Sequence, residues 1–307
     1  MKIRGLGYLG LEGTNLGAWR TFASGILGLS EVAGPTSFGS RAYFKMDDRQ
    51  WRICIEDGNR NGLGFLGWEI ANPAEFASAV DELRAAGVSV RRASSATLEA
   101  RGVAELVQFE DPVGNQLELF WGQKEDFEPF RSPAGVSAFK TAGLGLGHVL
   151  LAVPETRPML DFYLKVLGFR LTDFIGMGGG RSAQFMRCNP RHHSVGVMDI
   201  LPQPGLLHFM VEVATLDDLG HAYDRALASG AEITNSIGRH TNDKTISFYL
   251  RSPGGFGVEY GWDGLLIDDA SWSVIEFQGK GDLWGHHGPM MAKIMSARPD
   301  QIASGVG

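Results

Sequence analysis

Gly145-Leu146-Gly147-His148-Val149-Leu150-Leu151 is an apolar run with one histidine set in it, and it echoes Gly5-Leu6-Gly7-Tyr8-Leu9-Gly10-Leu11 at the start of the chain. Two more pairs follow in the same order. Phe65-Leu66-Gly67-Trp68-Glu69-Ile70-Ala71 parallels His208-Phe209-Met210-Val211-Glu212-Val213-Ala214, and the stretch from Asp111-Pro112 to Glu118 parallels Ser252-Pro253 to Glu259. The pairs are 140, 143 and 141 residues apart, which points to one domain present twice. A length of 307 residues agrees, at roughly 150 residues per domain.

Working outward, each copy holds two smaller units: a strand, an amphipathic helix, then several strands. Asn15 can cap a helix carrying Leu16, Trp19, Phe22 and Leu27. Its counterpart starts near Pro158, with Leu160, Tyr163, Leu164 and Leu167. The second helix of each copy ends at a glycine: Phe76, Val80 and Leu83 precede Gly87, and Leu219, Tyr223 and Leu227 precede Gly230. Gln184–Arg187 and Thr245–Leu250 alternate in polarity, as strands do. The polar segment 122–143 reads as a linker and residues 297–307 as a frayed end. The expectation is an α+β protein of two tandem domains, 1–135 and 136–307.

A formal charge of -7 argues against nucleic acid, which needs clustered Lys and Arg. No run of 18 apolar residues appears, so no membrane span is expected. The start of the chain lacks the apolar core of a signal peptide. Two distant cysteines, Cys54 and Cys188, exclude a disulfide framework and suit a reducing cytoplasm.

The copies differ where chemistry would sit. Matched positions carry Tyr8, Phe65 and Glu118 in the first copy and His148, His208 and Glu259 in the second. Tyr and Phe cannot act as imidazole ligands, so a metal is expected only in the second half. His148, His208 and Glu259 lie among apolar neighbours, where a buried carboxylate without a partner is costly and a cation removes the penalty. Two imidazoles and one carboxylate suit Fe(II) with open positions; Mn(II) also fits, and Zn(II) is not excluded by ligand type.

Three further stretches are distinctive: Cys188-Asn189-Pro190-Arg191-His192-His193-Ser194, Gly238-Arg239-His240-Thr241-Asn242-Asp243, and Ser247-Phe248-Tyr249 leading to Val258-Glu259-Tyr260-Gly261-Trp262. With them the chain resembles, over nearly its whole length, the type I extradiol dioxygenases of the vicinal oxygen chelate superfamily. The likeness is to the branch acting on 2,3-dihydroxybiphenyl and 1,2-dihydroxynaphthalene. The resemblance implies two domains of paired βαβββ modules, each a half-open barrel. It also implies metal ligands at His148, His208 and Glu259, and catalytic roles for His193, His240 and Tyr249. Asn242 and Asp243 match a polar loop beside the substrate. The implied activity inserts both atoms of O2 next to the hydroxyls of an aryl-substituted or bicyclic catechol, usually in a homo-oligomer. One departure is Leu207 before His208, where many relatives carry a second histidine.

His193 is the expected proton shuttle, with His192 as the other member of its pair to consider. Phe185 and Leu150 are pocket candidates, because an apolar wall suits an aryl substituent. Bland readings cover the rest: His221 at the surface, His286, His287, Met290 and Met291 in packing or a lid, Cys54 and Trp262, Trp272 and Trp284 in packing. Two other functions stay open. A glyoxalase-like isomerase needs a fourth ligand from the first copy, and a metal-independent binder of aromatic ligands needs no triad.

Overall fold

The first strand of each half is hydrogen-bonded on both sides in the same manner, and this builds two sheets of one topology. The computed structural model describes residues 1–35, 40–278 and 281–289. In the first half the strands are β1 (Ile3–Gly13), β2 (Ser30–Val32), β3 (Arg41–Lys45), β4 (Ile53–Asp57), β5 (Gly62–Ile70), β6 (Arg91–Arg92), β7 (Glu105–Glu110) and β8 (Gln116–Trp121). The second half has β9 (Gly147–Ala152), β10 (Arg170–Gly178), β11 (Arg181–Arg187), β12 (Val195–Met198), β13 (Gly205–Val213), β14 (Ile233–His240), β15 (Ile246–Arg251) and β16 (Gly257–Trp262). It then adds β17 (Ile275–Gln278) and β18 (Asp282–Trp284).

The first sheet runs β2-β3-β4-β1-β5-β8-β7-β6. The second runs β10-β11-β12-β9-β13-β16-β15-β14, with β17 added outside β10 and β18 outside β14. Each half is therefore two βαβββ modules joined through the antiparallel pairs β1–β5 and β9–β13. The repeat read from the sequence holds to the residue. Tyr8 faces Gly67 and Gly67 faces Glu118; His148 faces Met210 and Met210 faces Glu259.

Alternation along the strands divides two environments. Val149, Leu151, Phe209, Val211, Val258 and Tyr260 point to a core shared by both halves. His148, Leu150, His208 and Glu259 point the other way, into the barrel. Because both faces are covered, β9 is buried throughout.

The helices cover the core face. Asn15 caps α1 (Leu16–Arg20) by accepting from the Ala18 N–H at 2.9 Å. This helix passes into a wider π-helical turn, Thr21–Leu27, and α4 (Thr156–Asp161) does the same at Phe162–Val166. The matched widening was not legible from a 3.6-residue period. α2 (Pro73–Ala85) and α5 (Leu216–Ser229) stop at the left-handed glycines Gly87 and Gly230 as expected. Leu227 departs from expectation: it is 58% exposed, and Leu219, Ala222 and Ala226 make the buried stripe of α5 instead. A short helix absent from the sequence reading, α3 (Ser95–Arg101), is capped by Ser94 and delivers Arg101 to the first barrel.

The connecting segment is fastened rather than loose. Ser132 Oγ donates to the Gly28 carbonyl, whereas the Ser137 N–H donates to Asp218 and the Ala138 carbonyl accepts from the Ala214 N–H. Beyond β16 the chain ties the two edges of the second sheet together, β17 lying parallel to β10 and β18 antiparallel to β14. This strap has no counterpart among the described residues of the first half. Trp284, expected in packing, is half exposed on it; Met290 and Met291 lie outside the described residues.

Candidate functional site

Three adjacent strands, β9, β13 and β16, each place one donor on the inner face of the second barrel. His148 Nε2 stands 3.1 Å from Glu259 Oε2 and 3.1 Å from His208 Nε2, and His208 Nε2 is 3.3 Å from Glu259 Oε2. A register shift in β13 between Leu206 and His208 puts His208 opposite Leu150, on the same face as His148. His148 and Glu259 are fully buried and the His208 side chain nearly so.

These three electron-pair donors fit a metal ion. A single proton can satisfy only one edge of such a triangle, whereas one cation faces all three corners. Spacings of 3.1–3.3 Å also match bonds of about 2.0–2.2 Å to a common centre. The donor set is the two-histidine, one-carboxylate face associated with non-haem Fe(II). For the polypeptide alone, burial pushes the Glu259 carboxyl up, but hydrogen bonds with His148, His208 and His240 outweigh it and hold it well below the carboxylate range. Burial lowers His148, which favours the neutral imidazole that a ligand must be.

Around this triangle the structure gathers the other expected residues. The His193 ring lies over His148 with centroids 3.9 Å apart and meets Phe185 edge-on at 4.8 Å. Burial, then the neighbouring His148 and His192, hold His193 well below the usual histidine range. His240 Nε2 is 2.8 Å from the Tyr249 hydroxyl and 3.2 Å from Glu259 Oε1. Leu150, Ala183 and Phe185 form a separate apolar cluster, bordered by Ile175, Met198 and Leu207. Asp243 accepts from the Thr245 N–H and lies 3.9 Å from His193 Nδ1; the Asn242 amide is turned to Asp173 at 3.4 Å. Volume alone misleads here: a cleft of about 460 Å3 opens away from the triangle, among Arg49, Arg52, Asp47 and Glu69, whose charges already pair.

Two acids of the site escaped the sequence reading. Asp173 on β10 is bonded to His192 Nε2 at 2.9 Å, and Asp282 on the strap is bonded to His240 Nδ1 at 2.8 Å and His286 Nδ1 at 2.7 Å. Neither lies in a motif, and Asp282 reaches His240 only because β18 pairs with β14. For His240 burial works downward, but Asp282 and Glu259 overcome it and raise it well above the histidine range. His286 is buried, with Nε2 3.0 Å from the Ser247 carbonyl, so it belongs to this network; His287 and His221 are exposed.

The first barrel is filled instead. Tyr8, Tyr43, Trp51, Cys54, Phe65, Leu106 and Phe120 pack its interior, and Glu118 is bonded by Tyr8, Gln108 and Arg101. Arg101 also lies 3.6 Å over the Phe65 ring. The Glu118 carboxylate thus has its cation from a side chain, and the first half has no histidine to serve as the fourth metal ligand an isomerase needs.

With this geometry in hand, the known proteins decide the family. Residues 145–260 match the family model described as Glyoxalase/Bleomycin resistance protein/Dioxygenase superfamily, and residues 6–58 match Dihydroxybiphenyl dioxygenase BphC D1. Biphenyl-2,3-diol 1,2-dioxygenase of Paraburkholderia xenovorans is 43% identical, with 93% of this chain and 96% of that protein covered. The chain belongs to the extradiol dioxygenases. Iron-dependent extradiol dioxygenase of Rhodococcus jostii is 40% identical over 93% of this chain and 97% of its own length. The crystal structure of a halotolerant catechol dioxygenase superposes with a TM-score of 0.88 at 36% identity, covering 98% of this chain and 97% of that one. The alignments of this extradiol dioxygenase with its relatives span both halves of the tandem fold.

Proposed function

We propose that this dioxygenase opens an aryl-substituted or bicyclic catechol, of the 2,3-dihydroxybiphenyl kind, next to its hydroxyls, inserting both atoms of O2. The observation carrying this reading is the buried triangle of His148, His208 and Glu259 beside the apolar wall of Leu150, Ala183 and Phe185. His148, His208 and Glu259 would hold Fe(II), with Mn(II) as the substitute the same donors accept. Bound there, iron supplies the redox and Lewis-acid chemistry that joins the catechol to O2.

The chain's own residues do the rest. His193, which burial holds well below the usual histidine range, would take a substrate proton and return it, help worth about 10²–10⁴-fold. His240 and the Tyr249 hydroxyl donate to the substrate oxygens and set the ring's angle. Leu150, Phe185 and Met198 exclude water from the ring's far end, and Asn242 and Asp243 close the polar side. The two domains are taken as 1–135 and 136–307, joined by a segment bonded to Gly28 on one side and to Asp218 and Ala214 on the other. The two free cysteines suit a reducing cytoplasm.

Metal analysis and an oxygen-electrode trace test the reading. Iron-loaded enzyme should consume one O2 per diol, give a yellow product, and favour 2,3-dihydroxybiphenyl over unsubstituted catechol at least about tenfold in kcat/KM. Catechol binding by iron-loaded protein without oxygen uptake would favour the binder instead.

A further inference from the structure

His192 sits beside His193, yet it turns away from the metal triangle and into a buried polar file. Its N–H donates to the Leu265 carbonyl at 3.1 Å and its carbonyl accepts from Thr172 Oγ1 at 2.6 Å, so the backbone is pinned on both sides. Its ring spans two partners: Nε2 is 2.9 Å from Asp173 Oδ2, and Nδ1 is 3.1 Å from His193 Nδ1. Asp173 and Ser194 are fully covered and His192 and His193 nearly so.

We infer that Asp173 and His192 are positioning residues that hold His193 in the tautomer with hydrogen on Nδ1 and a bare lone pair on Nε2. Asp173 also accepts from the Asn242 amide, which leaves its other oxygen to accept from His192. A carboxylate oxygen can only accept from an imidazole, so an imidazole with a single N–H carries it on Nε2 here. Its Nδ1 is then a lone pair. Two nitrogens 3.1 Å apart share one hydrogen, and here His193 Nδ1 must supply it. Asp243 Oδ2, 3.9 Å from the same His193 nitrogen, favours hydrogen on that side as well. The inference rests on the proton-handling role assigned to His193, because only a bare Nε2 can begin by accepting.

The test reads the tautomer directly. Full-length protein labelled with 15N-histidine and loaded with diamagnetic Zn(II) is examined by long-range 1H–15N correlation, with His193→Gln identifying the His193 signals. Wild type should show hydrogen on Nδ1 and a bare Nε2. In Asp173→Asn, the amide can donate to His192 Nε2 and reverse the file, so His193 should shift to hydrogen on Nε2. Its iron-loaded kcat should fall about 10²-fold, with KM and iron content within about twofold of wild type. Hydrogen on Nε2 in wild type overturns the inference whether or not the variant folds, and so does an Asp173→Asn protein in which tautomer and kcat fail to change together. Wild-type turnover in His193→Gln would instead remove the role of His193 and leave the tautomer as stated.

Discussion

The Tyr8 phenol donates to Glu118 across 2.8 Å at the register position where His148 stands 3.1 Å from Glu259 in the other half. Both carboxylates are buried on the same strand of the same fold, and neither can stay there without positive charge nearby. The first barrel obtains it from Arg101, whose Nε lies 2.9 Å from Glu118. The second offers His148 and His208 at the metal triangle, and His240, raised well above the histidine range, 3.2 Å from the other oxygen of Glu259.

Arg101→Leu should therefore unfold more easily, by about 3–5 kcal/mol, because a buried carboxylate loses its partner. Denaturant titration measures this. Iron content of the folded variant should remain that of wild type, since Arg101 lies in the other barrel.

Replacing His148, His208 or Glu259 by Ala should cost more than about 10²-fold in iron affinity and in turnover, exceeding the loss typical of residues that only support ligands. Metal analysis after dialysis checks it. Retention of stoichiometric iron by any of the three would remove that residue from the ligand set.

His193→Gln should lose about 10²–10⁴-fold in kcat while keeping its iron, and Tyr249→Phe should lose less. The folded-state value of His193 lies below the ordinary ~6.5, so its ring is already neutral at that pH in the folded enzyme. The acidic limb of kcat/KM should accordingly fall below pH 6.5. A midpoint at or above 6.5 would show that another group controls it. For stability the sign is the same: protonation favours the unfolded chain as pH drops through this range.

Asp282→Asn should lower turnover about 10–100-fold through a misplaced His240, with the triad and its iron retained. Steady-state kinetics beside metal analysis separates the two. Loss of iron in step with activity would mean that the strap supports the ligands instead.

Burial pushes the thiols of Cys54 and Cys188 up to about 12. At pH 8 both should label slowly with a thiol reagent in the native protein and quickly in urea. Because the folded value exceeds the ordinary ~8.5, their contribution to stability is present below that pH and fades as pH rises toward 12. Cys54, the more covered of the two, should be the slower, and its rapid native labelling at pH 8 would contradict its burial.

Much of the site was legible because strands convert sequence spacing into geometry. His148, His208 and Glu259 lie on adjacent strands of an alternating pattern, so matching offsets in a duplicated layout imply one shared face. Leu150 and Phe185 follow from the same parity, since Leu150 faces Gly196 and Gly196 faces Phe185. Leu227 misled because its helix fits a periodic stripe, but the contact with the sheet is made by Leu219, Ala222, Tyr223 and Ala226 and leaves Leu227 outside it.

By itself the amino-acid sequence determined the duplication, a strand, helix and further strands in each unit, and the loss of donors from the first half, because these depend on residue type and local period. Only the tertiary structure decided which cation Glu118 keeps and which acids stand behind His192 and His240. Arg101, Asp173 and Asp282 reach their partners through strand pairing and a strap between sheet edges. Contacts made across such distances leave no periodic trace along the chain.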